Sequence, residues 1–121
     1  MTKTTVADPT AVQARTINIP PDGEKGHEEM LVDREGDDYV FVYGNNQEYR
    51  IAVSQLREVC FDRKDKSQFS VIAEIFNKGS GGFTRTAGVT NKIIGVIEEK
   101  ELSEFESKLD QLSIATLYLS R

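Results

Sequence analysis

Short runs of β-branched and aromatic residues alternate with turn-forming residues in the stretch of chain that follows residue 28. Residues 30–32, 39–43 and 49–53 have the composition and length of β-strands. Gly36 separates the first run from the second, and residues 44–47, Gly-Asn-Asn-Gln, separate the second from the third. Glycine and asparagine tolerate the positive φ angles of tight hairpin turns. The pattern therefore predicts an antiparallel meander with short connections.

Residues 69–76 fit two secondary structures. As a strand, the segment has one face made of Phe69, Val71, Ala73 and Ile75. As a helix, it has one face made of Phe69, Ile72, Ala73 and Phe76. β-Branched and aromatic residues dominate the segment, and this composition favours the strand. Residues 54–60 are compatible with a helical face or with an irregular strand, and both interpretations stay open.

Leucine and phenylalanine recur with helical spacing near the C-terminal end of the chain. The positions are Leu102, Phe105, Leu109 and Leu112. Steps of three and four residues place them on one face of a helix, and the glutamates between them suit the solvated side. We expect this face to pack on the protein's own sheet. Residues 114–119 either form a closing strand or continue the helix.

Together these elements predict an α+β fold. We expect a small antiparallel sheet or partly open barrel of about five strands, with the C-terminal amphipathic helix packed on it. A chain of 121 residues has the usual length of one domain. Residues 1–27 have few apolar anchors, which predicts a flexible N-terminal tail followed by a single globular domain over residues 28–121. Within the tail, Val12, Ile17 and Ile19 are candidates for one short edge strand that ends at Pro20 and Pro21.

Charge is unevenly distributed along the sequence. Residues 1–49 carry net −6, residues 50–92 net +4 and residues 93–121 net −3, which gives −5 for the whole chain. An acidic protein repels phosphates, so nucleic acid is not an expected partner. In the basic middle, the candidate contacts for an acidic protein partner are Arg57, Arg63 and Lys64. The alternative is that the acidic ends neutralise the basic middle internally.

The glycine-rich loop at residues 77–86 is a candidate site for a small anionic ligand. Glycines let backbone N–H groups converge on an anion, and basic and hydroxyl side chains add further donors. The candidate ligand-binding residues are Lys78, Gly79, Gly81, Gly82, Thr84 and Arg85. The spacing matches neither the phosphate-binding P-loop nor the dinucleotide fingerprint. A flexible hairpin connection is the competing interpretation.

The residues that most often carry catalysis or hold metals are scarce in this sequence. His27 is the single histidine and Cys60 the single cysteine. A zinc site needs a cluster of such ligands, and a nucleophilic cysteine needs a base beside it. We therefore predict no metal site, no cofactor and no catalytic residue, and the sequence does not favour an enzyme.

Three observations bear on location. No apolar run approaches the ~20 residues that cross a bilayer, so membrane insertion is not expected. The N-terminus lacks the apolar run of a signal peptide. Cys60 has no second cysteine to pair with. We therefore expect a cytoplasmic protein.

The function that these features favour is that of a non-catalytic protein-interaction or adaptor module. Its partner would be another protein or a second copy of the chain in a homodimer. The alternative is a binder of a small anionic ligand, a nucleotide or phosphorylated group, through residues 77–86.

Overall fold

The computed structural model describes residues 15–17, 29–77 and 88–121, and within these ranges the chain forms eight β-strands and one α-helix. In chain order they are β1 (Arg15–Ile17), β2 (Met30–Glu35), β3 (Asp38–Tyr43), β4 (Gln47–Ala52), β5 (Leu56–Arg63), β6 (Gln68–Asn77), β7 (Gly88–Glu98), α1 (Glu99–Gln111) and β8 (Ala115–Tyr118). Sheet A has the order β1-β4-β3-β2, and sheet B has the order β7-β6-β5-β8.

The predicted combination of strands with a C-terminal helix is confirmed, but the predicted sheet is wrong in three respects. The described residues form eight strands rather than about five, and they form two open four-stranded sheets rather than one sheet or barrel. Each sheet is also mixed, because β1 pairs with β4 in parallel and β8 pairs with β5 in parallel. Both parallel strands are short edge strands of three and four residues. Their partners lie far away in sequence, so the local pattern that allows these strands does not predict their parallel pairing.

The two predicted hairpin turns are confirmed. Gly36 lies between β2 and β3 with φ of +60°, and Asn46 lies between β3 and β4 with φ of +67°. Glycine has no Cβ to strain this conformation, and asparagine tolerates it better than most residues. These short turns bring β2, β3 and β4 into an antiparallel register in which Phe41 pairs with Val32 on one side and with Tyr49 on the other.

The segments that the sequence left ambiguous are all strands. Residues 69–76 lie in β6, which confirms the favoured interpretation, and residues 56–60 lie in β5. The C-terminal helix ends at Gln111, and Ser113 turns the chain with φ of +62° into β8. The backbone N–H of Ile114 returns to the carbonyl of Leu109 at 2.9 Å, which closes the last turn.

One hydrophobic core joins the two sheets and the helix. Alternate residues of each strand enter it, so Tyr39, Phe41 and Tyr43 of β3 are all buried. The Tyr43 hydroxyl donates a hydrogen bond to the carbonyl of Ile94 at 2.5 Å, which connects sheet A to β7 of sheet B. Burial of this phenol raises its pKa. The contact requires close approach at Gly95, where an added Cβ would lie 3.0 Å from the Met30 sulfur.

The helix α1 buries the predicted face. Leu102, Phe105 and Leu109 are buried in the core, and Leu112 packs against it just beyond the helix. At the N-terminus, the backbone N–H of Glu98 donates to the Glu101 carboxylate at 3.3 Å in a capping box. The apolar face of α1 therefore belongs to the monomer's own core, as the spacing predicted.

The predicted N-terminal tail falls largely outside the described residues. Within it, residues 15–17 form β1, and Ile17 packs partly buried against the core. The Thr16 hydroxyl donates to the Glu48 carboxylate at 3.0 Å. Of the predicted edge strand, Ile17 lies in β1, whereas Val12 and Ile19 lie outside the described residues, and the domain boundary after residue 27 stays a prediction.

Leu109 provides a direct test of how much the helix contributes to stability. It is fully buried, with 0% exposure. Leu109→Ala should lower the free energy of unfolding by ~2–5 kcal/mol, because lost transfer energy and a cavity add. Leu109→Asp should abolish folding, because it buries an unpaired carboxylate. Urea denaturation followed by circular dichroism measures both. The control is Leu119→Ala at a 54% exposed position, which should change stability by less than about 0.5 kcal/mol. A folded Leu109→Asp protein would contradict the packing.

Candidate functional site

A groove of about 500 Å³ lies between strand β2 and helix α1. We call it the β2–α1 groove. It is lined by Glu29, Met30, Leu31, Val32, Asp33, Glu35, Val42, Ile97, Glu101, Glu104, Phe105 and Lys108. The position follows from the topology, since β2 is an edge strand of sheet A and α1 packs beside that edge.

The groove has an apolar floor and an exposed leucine at its rim. Met30, Val32 and Phe105 line the floor and belong to the buried core. Leu31 lies between the first two on β2, so it points to the opposite face of the strand. Its exposed fraction is 62%, the largest among the exposed large hydrophobic residues of the described chain. Leu31 is therefore an exposed apolar residue at the rim of the groove, on the edge strand whose other face forms part of the apolar floor.

Carboxylates surround this apolar surface. The outward positions of β2 are Leu31, Asp33 and Glu35, and Glu29 immediately precedes the strand, so one leucine lies within a row of acidic side chains. Helix α1 adds its own acidic residues to the opposite wall: Glu101 and Glu104. Lys108 is the one basic residue among the described residues of the lining, and its Nζ lies 3.7 Å from an Asp33 carboxylate oxygen. The groove therefore carries a net negative charge.

Arg50 on β4 organises the ionic contacts on the outer face of sheet A. Its guanidinium contacts the carboxylate of Glu48, the carboxylate of Glu35 at 2.7 Å and that of Asp38 at 3.4 Å. Glu48 is the most buried of these acids, with an exposed fraction of 8%. The hydrogen bond from Arg50 lowers the pKa of Glu48 against the opposing effect of burial, and Thr16 assists. Arg50 is thus neutralised by acidic residues of the N-terminal part of the chain.

The outer face of sheet B carries a second apolar feature. One row crosses all four strands and consists of Ile93, Ile72, Cys60 and Leu117. The two ends of the row are about half exposed, with 46% for Ile93 and 47% for Leu117. The neighbouring row contains the register pair Glu58 and Glu74. This row too is bordered by carboxylates.

Cys60 lies in the middle of that row, and its thiol has low reactivity. Its exposed fraction is 5%. Burial raises the pKa of the Cys60 thiol to about 11, and the nearby carboxylates of Glu58 and Glu74 contribute in the same direction. A thiol with this pKa is protonated at neutral pH and is a poor nucleophile. The environment fits a structural cysteine.

The three predicted partner-binding residues do not form one cluster. Arg57 is exposed at a β-bulge near the start of β5, and Arg63 lies at its other end, roughly 20 Å away at the usual rise of a strand. Arg63 is engaged within the molecule. Its guanidinium contacts the Glu99 carboxylate at 3.3 Å and stacks over the Phe69 ring at 4.4 Å. Lys64 is exposed in the loop that follows. The contacts of Arg50 and Arg63 follow the predicted internal neutralisation of the basic middle.

The predicted anion-binding residues lie outside the described part of the chain: Lys78, Gly79, Gly81, Gly82, Thr84 and Arg85. Anion binding by this loop therefore stays a prediction. A small cavity of about 200 Å³ lies near the described ends of the loop, and its basic lining residues are Arg50 and Lys92. Since Arg50 already contacts three carboxylates, its positive charge is neutralised locally and would attract an anion only weakly.

Similarity to known proteins gives no functional assignment for this chain. The chain matches no protein-family model, no curated protein and no solved structure. Across residues 15–17, 29–77 and 88–121, no group of three or more histidine, cysteine or acidic side chains is arranged to hold a metal ion. Over the same residues, no helix is both long enough and apolar enough to span a membrane.

Sequence reasoning missed the β2–α1 groove, although one signal was present. In residues 29–35, every second position from Glu29 is acidic except Leu31, which indicates a strand with one largely charged face. Leu31 breaks that charged face, and this break was the available sign of an unusual surface. The pairing of this surface with α1, about 70 residues later in the sequence, is a tertiary feature.

The Arg50–Glu48 pair predicts a pH-dependent stability. The lowered pKa means that the pair stabilises the fold above the ordinary glutamate value of 4.5 and that this contribution is lost as the pH falls through the folded-state pKa. In Arg50→Met, Glu48 stays buried without its cation, which should cost roughly 1–3 kcal/mol at pH 7. Protonation relieves that cost, so the difference from wild type should shrink toward pH 4.5.

Urea unfolding at the two pH values measures this difference. Arg57→Met, at an exposed position on β5, is the matched control and should have little effect at either pH. A penalty for Arg50→Met that is the same at both values would show that Glu48 does not depend on the guanidinium.

The environment of Cys60 predicts slow alkylation. With a thiol pKa of about 11, iodoacetamide at pH 8 should react with the native protein at least about a hundredfold more slowly than with the protein in urea. Replacing both Glu58 and Glu74 by glutamine should accelerate the native reaction, because two charges that raise the pKa are removed. Rapid labelling of the native wild type, measured by mass spectrometry, would contradict the low reactivity that the raised thiol pKa predicts.

Proposed function

We propose that this protein is a non-catalytic protein-interaction module and that the β2–α1 groove binds a segment of another protein. The observation that carries the proposal is the exposure of Leu31 beside an apolar floor that continues the core. Isolated exposed leucines are common on protein surfaces, but one at the rim of an apolar groove favours recognition.

The energetics favour burial of this surface by a partner. Full burial of a leucine side chain stabilises a complex by ~1.5–3 kcal/mol relative to an exposed one. The floor residues Met30, Val32 and Phe105 are already held in place by the core, so a ligand would meet a largely ordered surface. A preorganised surface loses less conformational entropy on binding.

The acidic side chains of the groove lining exclude some classes of ligand. Carboxylates accept hydrogen bonds and repel phosphates, so the groove disfavours nucleotides, nucleic acid and acidic lipid headgroups. A second copy bound through the same groove would bring the same acidic side chains face to face across a two-fold axis. A segment of a different protein avoids this repulsion.

The lining also suits binding better than catalysis. The described residues that form the groove include no serine, threonine, cysteine or histidine. Serine, threonine and cysteine are the commonest activated nucleophiles and histidine the commonest general base, whereas the carboxylates and the lysine of the lining can transfer protons but have no such nucleophile beside them. An adaptor role needs only complementary shape and charge, and the groove offers both.

Site-specific photo-crosslinking tests the proposal. The full chain carries a photoreactive phenylalanine analogue in place of Leu31 and is irradiated in cells that naturally make the protein. We expect a discrete adduct with another protein, identified by mass spectrometry. The matched control carries the analogue at Leu119, which is similarly exposed at 54% but lies outside the groove. It should not yield that adduct.

A second measurement uses affinity capture of the crosslinked protein. Leu31→Asp should weaken capture at least about tenfold, while Leu119→Asp should leave it unchanged, since only the first substitution removes apolar contact in the groove. Thermal melting confirms that both variants are folded. Equal adducts at both positions, or capture that survives Leu31→Asp, would refute the assignment of the groove.

A further inference from the structure

We infer that the segment bound in the β2–α1 groove is basic and amphipathic, with lysine or arginine placed on either side of an apolar residue. This inference rests on the proposed function and adds to it the chemistry of the partner. It is carried by the arrangement of charge around Leu31, rather than by the exposure of Leu31 itself.

The charges of the lining fall into two groups. Asp33 and Glu35 already have cationic partners within the molecule, Lys108 at 3.7 Å and Arg50 at 2.7 Å. Glu29, which immediately precedes β2, and Glu104 on α1 are both exposed, and neither belongs to an ion pair between described residues. They stand on the two opposite walls, one contributed by the strand and one by the helix. A partner therefore meets uncompensated negative charge on both sides of the apolar floor.

The negative charge of the groove lining determines which kind of segment can bind there. A segment that covers the floor also removes water from the surrounding carboxylates, and burying a carboxylate without a partner is unfavourable. A neutral or acidic segment would leave Glu29 and Glu104 partly desolvated and unpaired. A basic segment replaces their water by ion pairs, so the same residues attract one class of partner and reject the other.

The order of residues along β2 adds a pattern to this requirement. The outward positions are acidic at Glu29, apolar at Leu31 and acidic again at Asp33. The complementary surface has an apolar side chain opposite Leu31 and basic side chains beside it. Because lysine and arginine have long aliphatic stems, they can cover the apolar rim and still reach the carboxylates.

The test selects ligands without assuming their sequence. A display library of random twelve-residue peptides is panned against the full chain at near-physiological salt, and bound peptides are eluted with urea, which releases neutral, acidic and basic peptides alike. We expect enriched peptides to carry several lysines or arginines around one or two large apolar residues. Individual peptides are then synthesised, and their affinities are measured by isothermal titration calorimetry.

Charge-reversal variants assign the selected peptides to the groove. Glu29→Lys combined with Glu104→Lys should weaken binding by about tenfold or more, since each exposed ion pair contributes up to about a fivefold change in affinity and reversal adds repulsion. The matched control combines Glu74→Lys with Asp110→Lys, which makes the same change in net charge outside the groove. It should weaken binding far less. The affinity of wild type should also fall as salt rises.

The outcomes separate this inference from the proposed function. Peptides that lose binding with Leu31→Asp but are neutral or acidic would overturn the basic partner and leave the groove as the docking site. Basic peptides that respond equally to the groove variant and the control variant would show only general attraction to an acidic protein and would overturn the inference. If no selected peptide depends on Leu31, both the groove and its basic partner are refuted.

Discussion

The burial of the apolar face of α1 against the two sheets is the constraint on which the rest of the structure depends. Sheets A and B are joined mainly through their shared core, and the hydroxyl of Tyr43 adds one direct hydrogen bond to β7. Leu102, Phe105 and Leu109 enter the same core from the helix. Each sheet has a large apolar inner face, and neither inner face can be buried without the other sheet and the helix. The position of α1 therefore follows from the need to bury this face.

That position also creates the β2–α1 groove. Because α1 packs beside the edge strand β2, the solvated side of the helix and the outward side of the strand meet at an angle over core residues. Both surfaces are acidic for ordinary reasons of solubility, since each faces water. Where the two surfaces adjoin, their carboxylates lie close together around Leu31. The candidate site thus results from two amphipathic elements whose polar sides converge.

The charged residues explain how a basic middle segment coexists with acidic ends. Arg50 contacts Glu35, Asp38 and Glu48, and Arg63 contacts Glu99. Each arginine belongs to the basic stretch, and its partners come mostly from the acidic stretches before or after it. These contacts pair the two arginine charges with carboxylates of the same molecule. The uncompensated charge that faces a partner at the β2–α1 groove is consequently negative.

Local sequence determined the elements whose signals repeat within a few residues. The two hairpins follow from Gly36 and Asn46, β6 follows from its β-branched and aromatic content, and the buried face of α1 follows from its three-and-four spacing. In each case the interacting residues are neighbours along the chain, so propensity and periodicity are sufficient.

Only the tertiary structure decided the pairings between distant segments. The sequence allowed the strands β1 and β8 but not their pairing, because their parallel partners lie more than 30 residues away in the first case and more than 50 in the second. The groove likewise depends on residues 29–35 meeting residues 101–108. A linear pattern records what each face of an element is made of, but not which other face it meets. That choice is made by the joint burial of the core, which depends on the whole chain at once.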